Sequence, residues 1–333
     1  LLKIEIFILL KTELFIYIMS ELMPYNQLLV PIGQGFQNLG ATCYFNSILQ
    51  CLLSCSSIFE TLEKYKDKPH FQNNVLAKDL TQLYIASMNQ QNVQPYVVKI
   101  LQDIIRISQK RNDHIKIDLG QQDAHEGLMM FLDVLDTLPE IKRLFQHRHR
   151  IRILCDCCKQ WVIDKQETNL TFEIQPDLKT EQHIKFAAID KNYNKTLSLN
   201  EFLYTQNTFI DENFICPNAD CQQKSHKFKT TILTMVPEIL PILIKKYQNK
   251  THTEFPQSLE FASKTESKKK LIYELVAQSE HSGNAYGGHY WAICKRSDGW
   301  KLLNDSSVTD GNPGPTLNTY VLFYHFVKYG ISS

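Results

Sequence analysis

Apolar and polar positions follow one period in the first half of the chain and another in the second. Phe45, Ile48, Leu49 and Leu52 fall at i, i+3, i+4 and i+7, one face of a helix. Val75, Leu76, Leu80, Leu83 and Tyr84 repeat that spacing, as do Val98, Leu101, Ile104 and Ile105. A further stripe runs through Ala124, Leu128, Phe131, Leu132 and Leu135. Gln121, Gln122, Asp123 and Glu126 open it, with carboxylates where the helix dipole favours them. From about Ile151 the runs become short, β-branched and aromatic: Trp161–Ile163, Leu170–Ile174, Thr231–Val236 and Ile239–Tyr247. These read as strands, with Pro237 and Pro241 marking bends or edges. No internal repeat is visible.

Composition narrows the class. The 333 residues suit one large domain or two ordinary ones, and 43% hydrophobic content is enough for a core. A formal charge of +1, from 36 basic and 35 acidic residues, gives no case for a nucleic-acid or membrane-surface partner. Nine cysteines, odd in number and unevenly spread, are unlike a disulfide framework and read as reduced thiols of an intracellular protein. In the apolar opening, runs such as Ile6–Leu10 are broken by Lys3, Glu5, Lys11 and Glu13 and fall far short of the ~18 residues of a membrane span. No signal-peptide cleavage pattern follows it. The first Met is Met19, and residues 1–18 are read as a mistranslated or truncated upstream piece.

Within this pattern a few side chains carry chemistry. Thr42 is in place to cap the first helix, which puts Cys43 in its first turn, where free N–H groups and the dipole favour a thiolate. A thiolate there suits a nucleophile; a simply buried thiol is the alternative. Near the C-terminus, strand, Gly-rich loop, strand, turn and strand succeed one another from Tyr273 to Val308. A five-residue hairpin loop over 295–299 sets Cys294 opposite Trp300 and His289 opposite Asp305, beside Asn304. That is a histidine with a polar orienter on the neighbouring strand, or else two polar strand ends satisfying loop backbone. Cys155 and Cys158 form one thiol pair and Cys216 and Cys221 a second, longer one containing Pro217, with Cys157 to spare. Four thiolates can close a tetrahedral structural zinc site. Asp190 to Glu201 imitates a calcium loop but has Lys195 where the turn needs Gly, so a loop followed by a short helix capped by Ser198 is preferred.

Three stretches resemble the ubiquitin-specific proteases. Asn38-Leu-Gly-Ala-Thr-Cys43-Tyr-Phe-Asn-Ser47 is similar to their Cys box, with Ala41 where the family often has Asn. Gln121-Gln-Asp-Ala-His-Glu126 is similar to a helix motif of theirs, with Gly127 in place of Phe. His281-Ser-Gly283, Gly288-His-Tyr290 and the Trp300 strand ending in Asn304-Asp305 resemble their His box. The resemblance spans about residues 33–328. It implies an α+β fold, a papain-like cysteine peptidase core with helical thumb, β palm and β fingers. Residues 1–30 would be an extension and 31–330 the catalytic domain, with the thumb at about 33–150, a segment with the fingers at 151–250, and the palm with the His box at 251–330.

By position, the resemblance makes Cys43 the nucleophile, His289 the general base and Asn304 its orienting partner, with Asp305 assisting. Asn38 becomes the oxyanion donor; His125 and His281 are not bases. Asp123 and Glu126 are candidate partners for arginines of a ubiquitin tail, or serve the helix dipole alone. No organic cofactor is implied, and the finger cysteines gain weight as a zinc site. The implied partners are ubiquitin and ubiquitinated proteins. The rival readings are a peptidase for another ubiquitin-like modifier and a silent ubiquitin-binding scaffold.

Overall fold

The computed structural model describes residues 22–110, 122–155, 157–174, 205–210, 215–222, 227–245, 253–262, 269–284 and 287–331. Gln121, the calcium-loop lookalike at 190–201 and the helix expected after Ser198 lie outside them, as does the segment before residue 22.

Helix α1 (Cys43–Leu53) is buried along its whole length. Its apolar stripe accounts for one face only; Asn46, Ser47 and Gln50 are buried too, because other elements close on it from every side. Around it stand α2 (Ser56–Tyr65), α3 (Pro69–Gln72), α4 (Val75–Met88), α5 (Gln94–Lys110), α6 (Ala124–Val134) and α7 (Pro139–Arg143). Asn74 caps α4 by accepting from the Ala77 N–H at 3.0 Å. Gly127 of α6 faces Tyr44 of α1, and a Cβ there would come within 3.0 Å of the ring. The residue that weakens α6 as a helix thus lets the two helices approach.

The second half of the chain is β. Strands β1 (His147–Cys155), β2 (Trp161–Asn169), β4 (Thr205–Ile210) and β5 (Lys227–Met235) form a four-stranded sheet in the order β2-β1-β5-β4. The larger sheet contains β3 (Phe172–Ile174), β6 (Ile239–Ile244), β8 (Lys269–Asn284), β9 (Gly287–Arg296), β10 (Gly299–Asn304), β11 (Ser307–Asp310) and β12 (Thr319–Ile331). Its order is β11-β10-β9-β8-β12-β6-β3, with β7 (Ser258–Ala262) paired to β8. Pro241 does not mark an edge: it lies inside β6, opposite Phe323 and one position before the β3 ladder begins. α1 packs against β9, β8, β10 and α6, so a helical body and the large sheet share one core.

Residues 22–30, assigned from sequence to an extension, are bound into this body. The Tyr25 N–H donates to the Phe326 carbonyl at 2.7 Å, the Asn26 N–H reaches Ser56 Oγ at 2.9 Å, and Val30 is fully buried. Among the described residues no helix is long and apolar enough to cross a membrane.

Candidate active site

Three elements build the site: the loop before α1, the start of α1 itself, and the β9–β10 pair with the turn after it. Thr42 is the N-cap by position, but its hydroxyl does not cap the helix. It accepts from the Leu39 N–H at 3.0 Å and so shapes the preceding loop instead. Cys43 follows in the first turn and is buried. Burial raises its thiol above the ordinary range, the Asp305 carboxylate adds to this, and the N–H groups of Tyr290, Tyr44 and Cys43 only partly offset it. The helix start therefore acts as expected, but desolvation outweighs it and the resting thiol is not favoured as a thiolate.

The Tyr290 N–H that faces the Cys43 sulfur belongs to the peptide joining His289 to Tyr290. This places the His289 part of β9 against the start of α1. His289 Nε2 lies 2.6 Å from Asn304 Oδ1. The ladder differs from the expected one by a residue: Gly299 pairs with Arg296 and Lys301 with Cys294. The loop is the two-residue turn Ser297-Asp298, not five residues, so the in-register partner shifts. Regular pairing stops at Leu303 and Ala292, and Asn304 reaches His289 from beyond the end of the ladder.

Asp305 turns the other way. It sits at a φ of 49° between β10 and β11. Its carboxylate accepts from Asn38 Nδ2 at 3.0 Å and Asn46 Nδ2 at 2.8 Å, not from His289. Its carbonyl takes the Phe36 N–H at 2.8 Å. Gly35 makes this approach possible, because a Cβ there would lie 2.5 Å from the Ser306 carbonyl oxygen. Asn38 Oδ1 accepts from the N–H groups of Gly40 and Thr42, both at 3.1 Å, so its amide group has a fixed orientation in the loop before Cys43.

Asp123 caps α6, accepting from the N–H groups of His125 at 2.7 Å and Glu126 at 3.2 Å. Its other oxygen accepts from the Tyr320 hydroxyl at 2.6 Å and the Tyr290 hydroxyl at 3.3 Å. Glu126 is exposed on the first turn. His125 points to Thr171 Oγ1 at 3.2 Å, and His281 stacks on Tyr290. Sequence reasoning missed Asn46, Tyr290 and Tyr320. Asn46 left a trace as a polar residue inside a buried helix and Tyr290 stood in the His-box stretch without a role of its own; Tyr320 left none, because a buried tyrosine in a strand reads as core.

Far from the nucleophile in sequence, β1 and the turn after it bring Cys155 and Cys158 to Cys216 and Cys221, with all four sulfurs within 4.8 Å of one another. Cys155 to Cys221 and Cys158 to Cys216 are each 3.9 Å. A tetrahedron with Zn–S of about 2.3 Å requires sulfurs about 3.8 Å apart, so the four residues fit zinc. Burial opposes ionisation of Cys155, yet the N–H groups of Cys158 and Cys157 and the neighbouring thiols bring it down to about 6. The longer second pair is accommodated by a turn in which the Cys221 N–H reaches the Asn218 carbonyl at 3.0 Å.

A buried cysteine at a helix start, beside a strand histidine paired with an asparagine, on an α+β core, defines a cysteine hydrolase of papain-like type. The sequence profile of the family described as ubiquitin carboxyl-terminal hydrolase matches residues 34–324. The chain belongs to that family, the deubiquitinating thiol peptidases. Ubiquitin carboxyl-terminal hydrolase 8 of Saccharomyces cerevisiae is 26% identical over 345 aligned positions, covering 87% of this chain and 70% of its own. Ubiquitin carboxyl-terminal hydrolase 12 of Salmo salar is 26% identical over 305 positions, covering 82% and 80%. In structure, the fold is similar to the SAGA Ubp8/Sgf11/Sus1/Sgf73 DUB module bound to ubiquitin aldehyde, with TM-score 0.67, 19% identity, and coverage of 93% and 72%. The module bound to monoubiquitin gives 0.66 at 20% identity, covering 93% and 72%.

Proposed function

We propose that Cys43, His289 and Asn304 hydrolyse the bond after the C-terminal glycine of ubiquitin in conjugates or precursors. The observation that carries this is the placement of the Cys43 sulfur against the His289–Tyr290 peptide while His289 Nε2 is held by Asn304. With its Nε2 proton donated to the Asn304 carbonyl, His289 keeps Nδ1 as the basic nitrogen. It takes the Cys43 proton as the sulfur attacks the scissile carbonyl, which answers the lowered acidity of the buried resting thiol. It then returns that proton to the leaving amine, and the C–N bond breaks to leave a thioester. Water, deprotonated by the same nitrogen, adds to the thioester and releases the carboxylate and the thiol. Asn38 and the backbone N–H groups at the start of α1 stabilise each oxyanion. Asp305 acts through Asn38 and Asn46 by fixing their amides.

The ubiquitin tail is the fitting substrate because the family and the ubiquitin-bound relatives of this fold share that ligand. Its terminal glycines suit a slot too narrow for side chains, and Glu126 is the exposed carboxylate near the start of α6 that would meet an arginine of the tail. The helical segment at about 33–150 then serves as thumb, the four-stranded sheet as fingers and the large sheet as palm. A zinc ion held by Cys155, Cys158, Cys216 and Cys221 would brace the finger tip, with no open coordination place for chemistry. Nine cysteines, odd in number and unlike a disulfide framework, suit a reducing, intracellular location.

A ubiquitin probe with an electrophilic tail should label the full chain at Cys43, located by peptide mass. Labelling elsewhere, or none, would reject the assignment. Probes built on other ubiquitin-like modifiers should label far more slowly, and a faster one would name a different substrate.

A further inference from the structure

Strand β9 carries His289 near one end and Arg296 at the other. Arg296 is only 1% exposed, a buried guanidinium in the shared core. It donates to the Gln50 carbonyl at 2.9 Å, to Gln50 Oε1 at 2.6 Å and to Ser54 Oγ at 2.5 Å. Gln50 and Ser54 lie in the last turn and at the C-cap of α1, where the helix dipole favours a cation. The same helix meets the same strand at its other end, through Cys43 and the Tyr290 N–H. α1 is therefore held to β9 at both termini, with the nucleophile at one and a charged clamp at the other.

A buried cation needs negative charge beside it. Every hydrogen-bond partner of the Arg296 side chain is neutral, and its Nε has no acceptor among the described residues. The titratable groups that feel its charge are Cys51 from α1, Cys55 just after it, Cys294 from its own strand, Tyr25 from the N-terminal segment and Tyr84 from α4. Glu274, which faces Tyr25, is already paired with Lys295 at 3.1 Å. The Arg296 charge is met by the negative end of the α1 dipole, through the Gln50 carbonyl and the Gln50 and Ser54 side-chain oxygens. We propose that Arg296 is a positioning residue for the hydrolysis, its guanidinium gripping the C-terminal end of α1 so that the other end presents Cys43 to His289. The inference rests on the reading of Cys43 and His289 given above.

The test compares Arg296→Met, Arg296→Lys and Ser54→Ala in the full chain, with a fluorogenic ubiquitin amide as substrate and near-ultraviolet circular dichroism to confirm folding. A clamp that sets the nucleophile should lower kcat by about tenfold or more in Arg296→Met with KM nearly unchanged, since small misplacements of reacting groups cost this much. Arg296→Lys should recover part of the loss. Folded Arg296→Met with unaltered kcat overturns the clamp. If Arg296→Met does not fold, Ser54→Ala decides: a several-fold loss of kcat supports the clamp and an unchanged kcat overturns it. Turnover surviving in Cys43→Ala would instead overturn the nucleophile assignment itself.

Discussion

The cysteines fall into two groups with opposite surroundings. At the tip of the four-stranded sheet, Cys155, Cys158, Cys216 and Cys221 converge on one point, with Cys157 and Ile215 exposed nearby and little apolar packing. At the α1–β9 junction, Cys43, Cys51, Cys55 and Cys294 are all buried. The first group gains its role from sulfur-to-sulfur distance alone. The second is sorted by what stands beside each thiol: the Tyr290 N–H and the Asp305 carboxylate at Cys43, and the Arg296 charge at Cys51, Cys55 and Cys294. A cysteine's chemistry is thus set by its electrostatic neighbours more than by its burial.

Exchanging one residue in each group gives the largest contrast. Cys43→Ala should abolish turnover with Tm and ubiquitin binding retained, because the gripping surface is far larger than one side chain. Cys158→Ser should do the reverse, losing metal and lowering Tm while Cys43 still reacts with the ubiquitin probe. Elemental analysis of the unmodified chain should find about one zinc per chain. Near-normal turnover in the first variant, or less than about a tenth of that zinc in carefully prepared protein, would dissolve the distinction.

Next come the groups that serve Cys43 without being thiols. Asn38→Ala should reduce kcat by about 10²–10³ with a smaller change in KM, since an oxyanion donor acts on charge present only in the transition state. Asp305→Ala should cost less, about tenfold in rate, because the Asp305 carboxylate accepts from the amides of Asn38 and Asn46 and not from His289 among the described residues. An Asp305→Ala loss larger than that of Asn38→Ala would mean the carboxylate acts directly.

The two acids of α6 separate by the same logic of neighbours. Asp123 is occupied as a cap and by two tyrosine hydroxyls, so Asp123→Ala should lower stability by about 1 kcal/mol or more and move Tm. Exposed Glu126→Ala should leave Tm alone and raise KM for ubiquitin a few-fold. An unchanged KM for Glu126→Ala would place the tail elsewhere.

The smallest effect is on acid stability. Burial holds His325 down to about 4, in the body of the molecule, and His149 and His147 down to about 4 and about 3, in β1. His325 is kept neutral by burial, only partly offset by the Nδ1–H donated to the Phe326 carbonyl at 2.8 Å, while Nε2 accepts from the Ser57 hydroxyl at 2.9 Å. An unfolded histidine binds its proton below about 6.5, so these three favour folding above that value. Their stabilisation is lost as pH falls from there toward 4. His325→Gln should flatten the urea-measured slope of stability with pH in that window. A slope that stays the same would assign acid lability to the β1 pair.

Much of this site was legible in the chain. Cys43 stands out through helical spacing and the Cys box, and His289 and Asn304 through strand order and the His box, because those motifs keep reacting residues on fixed turns of fixed elements. Other features were not legible. The β9–β10 register depends on whether Ser297-Asp298 closes in two residues, which local sequence does not determine. Asp305 follows Asn304 in sequence yet faces Asn38, because its left-handed backbone turns its side chain away from the ladder. Thr42 is a helix cap by type, but the loop before it takes its hydroxyl.

The sequence by itself determined the helical first half, the β second half, the family and the identities of the candidate nucleophile, base and zinc-binding thiols. These are properties of spacing and residue type, and they act over a few positions. Only the tertiary structure decided the charge state of the Cys43 thiol, the convergence of two distant cysteine pairs, the capture of Asp123 by Tyr290 and Tyr320, and the burial of Arg296 beneath α1. Each depends on desolvation and on charges brought within a few ångströms by residues far apart in the chain. Such energies exist only once the core has closed.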